Sequence, residues 1–470
     1  ESIRDDLLVD VFPDMLATSQ DQHRLPSVSG EMLKNRAAKS NKKGAGGSDG
    51  WRVKEVCELP LVFHDAMARI FNHIEQGAAW PKAFTYAMVP LIPKVGGNSE
   101  GPLTQRPITI LSIWYRLYSS IRFRHCVPWQ DKWIDSTLKG GMPGGETRDV
   151  TIRLGLEIEK AHLSGVPLFG CNIDTIKCYD SQVRPIVFGA AVQLGLPVGF
   201  IGSQTRLYDE LRRAFAFGKA MGNWFNATTS FIQGCALSQV WLNISTTMWA
   251  RLVRQRAPGV RTSGYVDDRS LRSESLYGLQ LGLDATYEFD QATLQESHPR
   301  KSNLWATEAK ARKLLRVVTL GNKKIPIVEQ DKQLGVQERY SRRQNKSVMS
   351  TRCIKLVRTA ERIQRLPLGR DAKDILCGMC AVATITYGSE QGFPPVADIR
   401  TCRTAISRAI RGDNHRLRSL EILFTVVLKG HRSDPLQALA YDAFLTLRRI
   451  LQKNDDMHEL FAEVWNLRRQ

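Results

Sequence analysis

A chain of 470 residues, 43% hydrophobic and 24% charged, is long enough for several subdomains around one or two cores, and its composition excludes global disorder, a fibrous repeat and a short disulfide scaffold. Its 66 Lys and Arg against 47 Asp and Glu leave a formal charge of +19. Such an excess repels itself until phosphates neutralise it, so a polyanion is the expected partner.

In chain order, residues 38–50 are rich in Gly, Ser and Lys and read as a flexible basic loop after an N-terminal extension (1–44). Apolar residues at three- and four-residue spacing over 59–75 predict a helix stopped by Gly77. The short apolar runs 87–93 and 107–111, bracketed by Gly, Pro and Asn, predict a hairpin of strands. Helical spacing resumes over 114–134 and 147–163, and 166–173 reads as a buried strand ending in Asp174. A helix over 183–194 is broken by Pro197. The longest apolar stretch, 187–202, falls short of the ~20 residues a membrane span needs, so no membrane contact is expected. Nine scattered cysteines fit reduced thiols inside a cell, and the spacing of Cys377 and Cys380 reads as buried thiols of an apolar helix.

A second hairpin is expected at 261–271, with its turn at 266–268. The sequence there is Tyr265-Val266-Asp267-Asp268. Two adjacent carboxylates between apolar strands raise one another's pKa unless a cation intervenes, and hard divalent ions take oxygen ligands of this kind. Asp174 ends another strand and supplies a third carboxylate, and three suit a pair of metals that clamp the attacking and leaving oxygens of a phosphoryl transfer. Arg269 follows the Asp pair directly and is placed to screen it in part. Beyond residue 333 the chain turns helical and basic. Between 338 and 370 ten Lys and Arg stand against two Glu. Arg352, Lys355, Arg358, Arg362 and Arg365 recur at helical steps, on the face opposite Leu356, Val357, Ala360 and Ile363.

Seven motifs then follow in order: Leu91-Ile92-Pro93-Lys94, Gln105-Arg106-Pro107-Ile108, Asp174 through Tyr179 to Asp180, Ile232-Gln233-Gly234-Cys235-Ala236-Leu237-Ser238, Tyr265-Val266-Asp267-Asp268, Lys301-Ser302 and Leu334-Gly335. With these motifs the chain resembles the reverse transcriptases of non-LTR retrotransposons over about residues 45 to 395, and Tyr387-Gly388-Ser389-Glu390 is similar to a stretch common in that subfamily. The resemblance implies an α+β right-hand polymerase. Its fingers would span 45–165 and about 183–230, the palm with its antiparallel sheet the rest of 166–335, the basic helical thumb 336–428, and a helical extension 429–470.

The resemblance also implies an RNA-directed DNA polymerase that extends a primer 3′-hydroxyl with dNTPs. Asp174, Asp267 and Asp268 would be the catalytic residues and would hold two Mg²⁺ ions, with Mn²⁺ as substitute. Lys94 and Arg106 would grip the incoming triphosphate, Tyr179 would exclude a 2′-hydroxyl, Gln233 and Gly234 would line the nucleotide pocket, and Lys301 would assist pyrophosphate departure. Arg352, Lys355, Arg358, Arg362 and Arg365 would track the template–primer duplex through its phosphates. The implied partners are an RNA template, a DNA or RNA primer, dNTPs and the RNA of the element itself, with the nucleus as the site of action in a eukaryotic host. The chain departs from the family pattern at Thr228-Thr229-Ser230, where a Gly is usual, and at Gln239, where a Pro is usual. An RNA-dependent RNA polymerase would need the same carboxylates but tolerance of a 2′-hydroxyl, against which Tyr179 speaks. A non-catalytic RNA-binding scaffold would have no need of three intact carboxylates.

Overall fold

The computed structural model describes residues 22–93, 105–218, 220–342, 347–412, 419–428 and 430–469. In chain order the elements that position the site are helix α1 (Gly30–Ala38), helix α2 (Leu61–Glu75), strands β1 (Tyr86–Pro93) and β2 (Gln105–Pro107), helices α3 (Ile113–Trp133) and α4 (Thr147–Ser164), and strand β3 (Phe169–Ile173). Strand β4 (Arg212–Phe217), helix α5 (Ala236–Arg256), strands β5 (Arg261–Tyr265) and β6 (Asp268–Ser273), helix α6 (Leu276–Ala292) and strand β7 (Asn303–Ala306) follow. A short hairpin, β8 (Gln330–Gln333) and β9 (Val336–Arg339), leads into helices α7 (Ser347–Gln364), α8 (Val396–Arg411), α9 (Pro435–Lys453) and α10 (Asp455–Arg469). The protein is thus a mixed assembly of helices and small sheets, compatible with a polymerase fold. Among the described residues no helix is long and apolar enough to cross a membrane.

The central sheet has the order β5-β6-β3-β7, every neighbour antiparallel. Side chains alternate across it. Phe169, Cys171 and Ile173 of β3, Leu271 of β6 and Leu304 of β7 join the main core with α5 and α6. The other face is polar near its end, with Asn172, Ser263 and Ser270, and is closed lower down by Trp305 stacked on Tyr340 at 4.2 Å. Asn172 Nδ2 donates to Tyr340 Oη at 2.8 Å and to Asn303 Oδ1 at 3.1 Å, so this buried amide nitrogen has partners.

A second sheet joins β1 antiparallel to β2 and parallel to β4. Of the expected strand over 107–111 only Pro107 lies in β2; beyond it Ile108 and Ile110 donate to Pro90 and Met88, while the Thr109 N–H turns to the Gln233 carbonyl at 3.2 Å. The loop read as flexible is pinned: Ser48 Oγ donates to the Tyr86 carbonyl at 2.6 Å, Ser112 Oγ to Asp49 Oδ2 at 2.6 Å and Arg116 to the Ala45 carbonyl at 2.5 Å. A separate hydrophobic core gathers Leu356, Ala360 and Ile363 of α7, Ile399, Cys402 and Ile406 of α8, and Leu439 of α9. Cys377 belongs to that core, whereas Cys380 is exposed, so only part of the cysteine pair is buried.

Candidate active site at the end of the central sheet

Asp174 is the first residue beyond β3. Its backbone N–H donates to Ser302 Oγ at 3.1 Å and its carbonyl accepts the His298 N–H at 2.7 Å, so the strand end is fixed from the segment before β7. In the β3–β6 register Ile173 faces Arg269, and one further step sets Asp174 opposite Asp268. Asp268 is also paired with Tyr265 across the β5–β6 hairpin, which leaves Val266 and Asp267 as the turn. Adjacent strands therefore deliver three carboxylates to one edge.

The turn is held in an uncommon shape. Val266 has φ +60°, a region that a β-branched residue rarely adopts. Beneath it runs a glycine-rich loop. Leu138 bridges to Gly264, the Lys139 N–H donates to the Gly264 carbonyl at 3.1 Å, and Gly264 returns an N–H to Thr137 at 3.3 Å. A Cβ on Gly140 would fall 2.2 Å from the Val266 nitrogen, so glycine is what lets the two backbones touch.

Loss of hydration pushes the Asp268 carboxyl up to about 6, and the negative charges of Asp267, Asp174 and Asp331 push the same way. The Asp267 carboxyl is also raised, first by desolvation and further by Asp174, with the Arg106 guanidinium opposing. Lys301 Nζ stands 3.8 Å from Asp174 Oδ2. Among the described residues no group of three or more His, Cys, Asp or Glu side chains is drawn together tightly enough to hold a metal ion. The three carboxylates meet as mutually repelling charges rather than as converged ligands.

Arg269 does not screen them, contrary to the expectation from its position in sequence. Strand alternation turns it to the helix-covered face, where it donates to Asp290 at 2.9 and 3.2 Å and lies 5.4 Å from the Trp249 ring.

The other expected residues gather unevenly. Tyr179 lies beside the site: burial and the Asp267 charge raise its hydroxyl pKa, and the hydroxyl donates to Gln239 Oε1 at 3.1 Å. Gln233 and Gly234 lie against the exit of β2, with Gly234 at φ +103° facing the Thr109 carbonyl. Arg106 is exposed on β2 opposite Ile92. Lys94 lies outside the described residues. Leu334 and Gly335 form the β8–β9 turn with φ +49° and +80°. On α7, Lys355, Arg358 and Arg362 are exposed, and Arg365 is exposed just past the helix end. Arg352 differs from these four: its guanidinium turns inward, donating to the Gly335 carbonyl at 2.5 Å and to the Tyr387 carbonyl, over the Tyr387 ring. It ties α7 to the hairpin turn, because its place on the helix faces packed chain rather than solvent.

Sequence reasoning missed three contributors. The Gly140-Gly141 loop was visible as a glycine run but carried no sign of its neighbour. Asp331, on β8, adds charge to Asp268 while Asn303 donates to it at 2.6 Å. The C-terminal helices reach the same loop: Lys453 Nζ donates to the Gly144 carbonyl at 2.7 Å and Lys139 Nζ to Asn454 Oδ1 at 3.1 Å.

No model of a known protein family matches the chain. Among curated proteins, it is 24% identical over 266 residues to the Retrovirus-related Pol polyprotein from type-2 retrotransposable element R2DM of Drosophila melanogaster. That match takes in 54% of this chain, which spans about a quarter of the length of the relative, 24%. The match and the seven ordered motifs agree: both show a chain that resembles the polymerase region of non-LTR retrotransposon proteins.

Proposed function

We propose that the chain is an RNA-directed DNA polymerase that adds dNTPs to a primer 3′-hydroxyl on an RNA template. The observation that carries this reading is the edge that adjacent strand ends form from Asp174, Asp267 and Asp268, where burial first and mutual repulsion second raise the Asp267 and Asp268 carboxyls. The donor set is all oxygen, on adjacent strand ends, and it suits hard divalent cations: Mg²⁺, with Mn²⁺ as substitute. Two such ions, when bound, would supply Lewis-acid stabilisation of the attacking and leaving oxygens.

The remaining roles belong to the chain's own residues. Arg106, together with Lys94 of the Leu91-Ile92-Pro93-Lys94 motif, binds the triphosphate, and the Arg106 guanidinium can hold two phosphate oxygens at once. Gln233 and Gly234 line the nucleotide pocket, and Tyr179 fills the space that a 2′-hydroxyl would need. Lys301 neutralises Asp174 between turnovers and stands ready to offset charge on departing pyrophosphate. Exposed Lys355, Arg358, Arg362 and Arg365 hold duplex phosphates. In this reading 45–165 and about 183–230 are fingers, the central sheet is the palm, 336–428 the thumb, and 429–470 an extension packed on the fingers helix α4.

Primer extension on RNA with Mg²⁺, comparing dNTPs with NTPs and the parent with Asp267→Ala plus Asp268→Ala, tests the proposal. DNA made from dNTPs alone and lost in the double variant is expected. Equal use of NTPs would favour an RNA polymerase, and duplex binding without product would favour a scaffold.

A further inference from the structure

Tyr179 does not stand alone at the site. Its hydroxyl donates to Gln239 Oε1 at 3.1 Å, Gln239 Nε2 donates to Asn243 Oδ1 at 3.0 Å, and Asn243 Nδ2 donates to Gln130 Oε1 at 3.0 Å. Asn243 is 4% exposed and Gln130 is fully buried. The phenol is thus the outer end of a polar chain that runs into the packed contact between α5 and α3. Gln239 is also confined from its other side. Gly141, at φ +73°, lies so close that a Cβ there would fall 1.9 Å from Gln239 Cγ. The amide has little freedom to swing away, and its two hydrogen bonds fix which end faces Tyr179.

We infer that Gln239 is a specificity-determining positioning residue that anchors the Tyr179 ring against the sugar of the incoming nucleotide and thereby sharpens the choice of dNTP over NTP. The inference rests on the polymerase reading above. Its physical content is simple. A ring excludes a hydroxyl only if it stays put when the larger sugar pushes on it, and the push must break the Tyr179–Gln239 bond while leaving a half-buried amide oxygen without its donor. The proline usual in the family after the serine at 238 has no side-chain acceptor, so this bond belongs to the sequence at hand.

The test compares the ratio of kcat/KM for dNTP and NTP in the parent, Gln239→Met, Tyr179→Phe, their double variant, and Tyr179→Ala. Methionine keeps the volume of glutamine, and phenylalanine keeps the ring, so each deletes the bond while retaining the steric bulk. Each single variant should raise relative NTP use by about three- to tenfold, the range expected from one hydrogen bond, mainly through a lower KM for NTP. The double variant should do no more than either single one. Tyr179→Ala should raise NTP use further. If Tyr179→Ala shifts the ratio while Gln239→Met and Tyr179→Phe do not, the anchor is overturned and the ring's role stands. If Tyr179→Ala leaves the ratio unchanged, the assignment of Tyr179 fails and the inference with it. Additive effects in the double variant would also overturn the anchor, because the two groups would then act independently.

Discussion

Two acidic regions of the molecule are built on opposite terms. Where α4 meets the C-terminal helices, carboxylates are matched: Arg148 pairs with Asp442 at 2.8 Å, Lys160 with Glu463 at 2.8 Å and Arg449 with Asp149 at 2.7 Å, while Arg153 pairs with Asp456 and Arg468 with Glu159. At the end of the central sheet, Asp174, Asp267 and Asp268 crowd together with Lys301 at 3.8 Å as their one direct ion pair among the described residues. A chain with a formal charge of +19 has cations enough to neutralise that edge, and Arg269, the nearest in sequence, is turned to the other face. Unmatched carboxylates cost stability, and on the polymerase reading proposed above that edge is where cations from outside would bind.

The comparison breaks if neutralising one member of each region has the same effect. Asp268→Asn should lower primer extension by about a thousandfold, the scale of a lost metal ligand, whereas Asp456→Asn should leave it within about twofold, as expected for a largely exposed pair. Stability should move the other way. The Asp268 carboxyl titrates at about 6 in the folded chain, above its ordinary value of 3.8, so the folded state holds this proton more tightly than the unfolded one. The protonated form favours folding at low pH, and that advantage is lost as pH rises through about 6. In a chelator, the melting temperature of Asp268→Asn relative to the parent should therefore rise between pH 5 and 7, to about 1–2 °C above the parent at pH 7.5. Added Mg²⁺ should raise the parent more than the variant. A difference between variant and parent that does not grow over that pH range would contradict the assignment.

The glycine loop sharpens the same contrast, since it joins the two regions. Gly140→Ala places a Cβ against the Val266 backbone and must displace the turn that presents Asp267. Extension should fall about 10- to 100-fold, because a shift near 1 Å at a reacting centre has that effect, with duplex affinity unchanged. Lys453→Met, which removes the bond to the Gly144 carbonyl from the far side of the loop, should reduce extension by about two- to fivefold, the scale of one partly exposed hydrogen bond. Steady-state rates and duplex titrations on the full chain check both.

How much of this was legible beforehand depends on distance along the chain. The β5–β6 hairpin and the carboxylates at strand ends could be read because alternation and turn residues are local signals, and the expected helices at 59–75, 114–134 and 183–194 are found at Leu61–Glu75, Ile113–Trp133 and Arg184–Gln193. The direction of Arg269 follows from the β3–β6 register and no composition argument supplies it. Arg352 obeys the helical spacing of its neighbours, yet the Gly335 and Tyr387 carbonyls that claim it come from other segments. Gln239 meets Tyr179 across 60 residues and Lys453 meets Gly144 across 309. Contacts of that span are tertiary, and a single sequence does not order them.

The smallest expected effect separates the basic residues of α7. Each exposed cation that touches a phosphate releases counterions on binding, so its removal should reduce the slope of log affinity against log salt by about 0.7–0.9. Lys355→Gln, Arg358→Gln and Arg362→Gln should each do so on a template–primer duplex, with weakening of similar size whatever the sequence. Arg352→Gln should leave the slope unchanged and instead lower the melting temperature, because its guanidinium is spent on the Gly335 and Tyr387 carbonyls. If Arg352→Gln flattens the slope as the others do, its inward contacts give way when the duplex arrives, and the five cations then act as the single face that their spacing first implied.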